Sequence, residues 1–142
     1  RDDLLERILF PTDFSDASAL AFHYLEDLVG ATHSAVTLLH VQDQVRPAHQ
    51  MNRLDESNEV ARERMEDLRT PLAARGASQV GMKILLGVPT KLIVQEAAGG
   101  ETTLVLMATR GRGALAEVMV GSVAANVARL SPVPVLFVPT QV

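Results

Sequence analysis

ATRGRGALAEVMVGS, residues 108–122, lies between the apolar run TLVLM (103–107) and the segment VAANVARL (123–130). A strand that enters a glycine-containing loop and leaves it as a helix is the repeating unit of an α/β fold, so the reading of this stretch decides the architecture. The apolar run, bounded by turn residues, suits a strand buried on both faces. The loop holds three glycines and two arginines. Glycine N–H groups can approach an anion closely, and Gly121-Ser122 stands where a helix begins, which favours a phosphate cradle. A plain turn followed by Ser122 as an N-cap satisfies the same residues without any ligand.

The alternation extends along the whole chain. Arg7-Ile8-Leu9-Phe10-Pro11 is a short apolar run closed by Pro-Thr-Asp and reads as the first strand. From Asp16 onward Ala17, Leu20, Ala21, Tyr24, Leu25 and Leu28 recur at helical spacing, with Ser15 or Asp16 as N-cap and Gly30 as the stop. Ala35–Val41 is a second strand. Gln42 to Asn58 is polar and without clear period, and Leu54, Ala61, Met65, Leu68 and Leu72 then mark a helix face that ends near Gly76. Val80, Met82, Ile84 and Leu86 alternate as in a strand near a sheet edge. Pro89 opens a third helix carrying Leu92, Ile93 and Ala97. Thr103–Met107, Ser122–Leu130 and Val133–Val138 complete the series as strand, helix and strand.

This order predicts a single α/β domain over 1–142, an open five-stranded parallel sheet with helices on both faces joined by right-handed crossovers. With strand order 3-2-1-4-5, strands one and four meet at the switch point. Pro11-Thr12-Asp13 then faces Ala108–Gly113 in the crevice where such sheets bind ligands.

Bulk properties narrow the function. With 142 residues, 47% of them hydrophobic, the chain can build one core. It has no apolar stretch of membrane-spanning length and no secretory signal, which points to a soluble cytoplasmic protein with no membrane partner. The absence of cysteine removes thiolate chemistry and fits a reducing compartment. A net charge of −4 argues against nucleic acid as a partner. No catalytic constellation stands out. The histidines at 23, 33, 40 and 49 lack metal-site spacing, and a structural or solvated role is expected for each. The charges along the second helix read as a solvated face. No P-loop lysine or nucleophile elbow is present. A phospho-accepting receiver domain would need further acids and a lysine, where Asp13 stands alone, Gly87 follows strand three and Pro139 follows strand five.

The segments ILFPTDFSDASALAF, LLHV, LLGVPTKLIVQEA and LVLMATRGRGALAEVMVGSVAANVARLSPVPVLFVP together resemble the universal stress protein family across almost the whole chain. The resemblance implies a Rossmann-like fold of the adenine nucleotide alpha-hydrolase type, a regulatory role in the stress response without catalysis, and ATP binding with Mg or Mn. It implies a nucleotide site built from Pro11, Thr12, Asp13, Val41, Met107, Ala108, Arg110, Gly111, Arg112, Gly121, Ser122 and Val123. In that site Asp13 touches base or ribose, the backbone of Val41 meets the adenine, and Ser122 with the following N–H groups takes phosphate oxygens. Arg110 and Arg112 place two cations within reach of a triphosphate. Read from the residues alone, Asp13 also suits a turn or helix cap, and Val41 suits core packing.

The family's nucleotide-binding branch carries Gly, two residues, Gly, nine residues, then Gly-Ser or Gly-Thr; here the first glycine is Ala108. If position 108 needs a left-handed backbone, alanine costs about 1–2 kcal/mol. If the ligand touches the Cα, the methyl collides. The alternative is a nucleotide-free dimeric scaffold of the same family, acting through protein contacts. Either way a homodimer is expected through Val133–Val138, an uncharged apolar edge in which Pro134 cannot donate to a ladder, together with a regulatory protein partner of unknown identity.

Overall fold

The computed structural model describes residues 2–43, 54–99, 101–109 and 121–139. After a 3-10 turn at Asp2–Leu5, the elements are β1 (Arg7–Pro11), α1 (Asp16–Thr32), β2 (Ala35–Asp43), α2 (Leu54–Ala74), β3 (Gln79–Gly87), α3 (Pro89–Ala98), β4 (Leu104–Ala108), α4 (Ser122–Leu130) and β5 (Val135–Val138). The strands form one parallel sheet in the order β3-β2-β1-β4-β5, as the sequence pattern predicts.

Side-chain alternation in the strands divides the core into two layers. Ile8 and Phe10 of β1, Val36 and Leu38 of β2, and Leu104, Leu106 and Ala108 of β4 pack with Ala21, Phe22, Leu25 and Val29 of α1 and Met65 and Leu72 of α2. Leu9, Leu39, Val105 and Met107 point the other way, onto Ile93 and Ala97 of α3 and Ala124 and Val127 of α4. Central strands covered on both faces need continuous apolar runs, which is what β1 and β4 supply.

Several element ends differ from the sequence pattern, each for a local reason. α1 does not stop at Gly30 but continues to Thr32, and His33 closes it in the left-handed region at φ 57°, its N–H donating to Val29 O at 2.8 Å. Gly30 instead makes room for the Arg75 side chain just past α2: a Cβ there would lie 3.0 Å from its guanidinium, which pairs with Asp27 at 3.1 Å. β2 runs two residues past Val41 because it pairs with β3 through Asp43↔Gly87. β4 is shifted by one residue, since the Thr103 hydroxyl bonds Leu4 O and Arg7 O while Ala108 joins the ladder opposite Val138. β5 begins at Val135 rather than Val133. Ser131 Oγ donates to Val133 O at 2.7 Å, curling the chain before it reaches the sheet, and Pro134 contributes its carbonyl alone, accepting from Val105 N at 3.0 Å.

Candidate nucleotide site

The switch point is opened by unequal pairing of the central strands. β1 stays in register with β2 up to Pro11↔Leu39, but its pairing with β4 covers Ile8↔Leu104 and Leu9↔Val105. Beyond Leu9 the carboxyl ends of β1 and β4 are therefore no longer laddered together, and the turns that follow them border a crevice.

On the β1 side the chain is fixed by a dense set of short-range bonds. Thr12, buried, donates its N–H to Leu39 O at 2.8 Å, and its Oγ1 accepts from Phe14 N at 3.1 Å. Its carbonyl accepts from His40 Nδ1 at 2.9 Å. Asp13 Oδ1 accepts from Ser15 N and from Ser18 Oγ, both at 3.0 Å. Ser15 is the N-cap of α1, its hydroxyl accepting from Ser18 N at 3.1 Å. Between them Phe14 adopts φ 61°, a left-handed conformation that a bulky L-residue avoids by about 1–2 kcal/mol. Its ring is held by tertiary contacts, 4.5 Å from the ring of His40 and 5.5 Å from the Arg64 guanidinium.

On β2, the Val41 side chain packs against the α3/α4 core layer, so the core reading of that side chain holds. Its main chain is oriented separately. Leu39 O faces β1, where it accepts from Thr12 N, and the two-residue period of a strand turns the Val41 N–H and C=O to the same side. β1 has ended by then at Pro11, so these groups face the crevice.

On the β4 side, Met107 and Ala108 bury their side chains in opposite core layers and offer the crevice only their main chain. Ala108 lies in extended strand; among the described residues, Phe14 and His33 are the non-glycine residues with positive φ. The left-handed cost expected for alanine at 108 is therefore absent, and its methyl is a core group 6% exposed. Thr109 N donates to Val138 O at 3.2 Å, and Gly121 N donates to Thr109 O at 2.7 Å, which ties the start of α4 directly to the end of β4. Gly121, not Ser122, is the N-cap, with φ −61° and ψ 156° and no side chain to occupy the first-turn N–H groups. Ser122 is thus the exposed first helical residue, followed by the half-buried Val123. Read as an N-cap, Ser122 would have accounted for these residues without a ligand; that reading does not hold. A helix start whose N-cap residue has no side chain of its own presents N–H donors and positive dipole to an anion. Arg110, Gly111 and Arg112, together with Gly113, lie outside the described residues.

The structure brings Pro11, Thr12, Asp13, Val41, Met107, Ala108, Gly121, Ser122 and Val123 to the carboxyl ends of the central strands. Phe14, Ser18, His40 and Arg64 were not marked by the sequence pattern. An aromatic residue in a left-handed turn carries no propensity signal, and His40 and Arg64 join the turn only through the fold. Among the described residues no group of three or more His, Asp or Glu side chains could hold a metal ion. Among the described residues no helix is long and apolar enough to cross a membrane.

Comparison with known proteins agrees with this fold. Universal stress protein MJ0577 of Methanocaldococcus jannaschii is 28% identical over 159 aligned positions, covering 95% of both chains. A solved structure of MJ0577 superposes with a TM-score of 0.88 at 30% identity, over 97% of this chain and 98% of that one. A universal stress protein in complex with cAMP (TM-score 0.74, 23% identity, 96% and 98% coverage) and one from Arabidopsis thaliana with AMP bound (TM-score 0.68, 18% identity, 96% and 92% coverage) share the fold. Residues 5–139 match the universal stress protein family as a whole, and the chain belongs to that family.

Proposed function

We propose that this chain is a stress-response regulatory protein that binds ATP, with Mg or Mn carried on the phosphates, in the crevice between β1 and β4. The observation that carries the reading is the start of α4: Gly121 is docked on Thr109 and, as an N-cap without a side chain, makes no cap bond of its own to the first-turn N–H groups beside Ser122. Phosphate oxygens would be taken there, the adenine edge by the Val41 main chain, and the ribose or base by Asp13. Relatives of the same fold with cAMP or AMP bound support an adenine nucleotide as the ligand class. The turn reading of Asp13 holds, since its carboxylate organises the turn after β1, and that role is compatible with a contact to ribose or base.

The role is regulatory rather than catalytic: bound nucleotide would alter a surface read by a second copy and by a further protein partner. The second copy is expected at β5. That strand is a sheet edge with Leu136 46% exposed, and beside it a groove of about 460 Å³ is lined by Tyr24, Leu28, Ala31, Leu136 and Pro139. Antiparallel pairing of two β5 strands about a two-fold axis would cover both edges with one self-complementary contact. Calorimetric titration with ATP and Mg tests the ligand. Saturable binding that weakens in Asp13→Ala supports it, and binding of no nucleotide would leave the dimeric scaffold as the function.

A further inference from the structure

We propose that Ser18 is a positioning residue for the nucleotide, setting the Asp13 carboxylate before the ligand arrives. The inference rests on the nucleotide reading of the crevice and adds to it a residue one helical turn away from it. Ser18 occupies the third helical position of α1, where a capping-box acid would reach back to the N-cap N–H. That task is already done: Ser15 N donates to Asp13 Oδ1 at 3.0 Å, and the Ser18 N–H is satisfied by Ser15 Oγ at 3.1 Å. The Ser18 hydroxyl is therefore not needed for a capping-box bond, and its oxygen accepts a long bond from the Asp13 N–H at 3.5 Å. The hydroxyl, on a residue only 6% exposed, donates instead to Asp13 Oδ1 at 3.0 Å. Two donors converging on one oxygen fix the orientation of the carboxylate group. A nucleotide then meets an acceptor whose rotamer freedom has been lost during folding rather than during binding.

The test is a double-mutant cycle on the full chain, titrating wild type, Ser18→Ala, Asp13→Ala and the double variant with ATP and Mg, with a thermal midpoint recorded for each. Ser18→Ala should weaken ATP binding by about tenfold, the scale of a hydrogen bond to a charged group. In the Asp13→Ala background the same substitution should change affinity less than about twofold, because there is no carboxylate left to orient. Affinity unchanged in Ser18→Ala overturns the proposal. So does an equal loss in both backgrounds, which would make Ser18 a part of the helix framework even where its removal lowers the midpoint. A wild-type protein that takes up no ATP removes the proposed function, and the role of Ser18 with it.

Discussion

The Nδ1 of His40 lies 2.9 Å from the carbonyl oxygen of Thr12, joining β2 to the turn that follows β1. A carbonyl only accepts, so Nδ1 carries the hydrogen and the tautomer of the ring is fixed by the fold. His40→Ala leaves the carbonyl of a buried residue without this donor and removes the ring that packs on Phe14. A loss of about 1–3 kcal/mol is expected in denaturant unfolding. An unchanged midpoint would mean that the turn holds itself.

Phe14 gives a test with an unusual sign. At φ 61° any L-residue is strained, so Phe14→Ala keeps the backbone cost and loses the contacts to His40 and Arg64. Phe14→Gly loses the same contacts but relieves the strain. After subtracting the greater freedom of glycine in the unfolded chain, the glycine variant should be the more stable by about 1 kcal/mol. An alanine variant as stable as the glycine one would show that the turn relaxes.

The substitution Ala108→Gly should not tighten nucleotide binding through strain relief, because Ala108 is extended and its methyl sits in the core beside Phe10 and Val138. The expected outcome is a loss of stability of about 1–2 kcal/mol from the deleted methyl and the freer backbone, with ATP affinity little changed. Tighter binding in calorimetry would show that the methyl itself obstructs the ligand.

Leu136→Lys places a charge on the exposed edge strand beside the Tyr24 groove and should split a homodimer into monomers in sedimentation velocity. Wild-type protein that sediments as a monomer at micromolar concentration would refute pairing through β5.

The architecture was legible because its signals are long and redundant. Ile8-Leu9-Phe10 and Leu104–Met107 are apolar on both faces, and the helices between strands repeat at their own period, so a parallel sheet with covered layers follows from pattern and handedness, and the order 3-2-1-4-5, assumed there, is the one observed. Ends were less legible because they are set by contacts between distant segments. Gly30 looks like a stop but is a space for Arg75, and His33 ends the helix without being a glycine. In the site, chain order marked Pro11-Thr12-Asp13 and the loop that leads into α4, since strand ends can be counted, while Val41 and its main chain came from the family resemblance. The burial of the Ala108 methyl in the core and the bond from Ser18 to Asp13 are encoded by no motif.

The proposed function places an adenine nucleotide in the crevice between Asp13 and the start of α4. Calorimetric titration of the wild-type chain with ATP in the presence of Mg, run beside a phosphate-release assay, tests it most directly. Saturable binding that Asp13→Ala weakens, with no steady release of phosphate, is the expected result. No uptake of ATP up to millimolar concentration would contradict it.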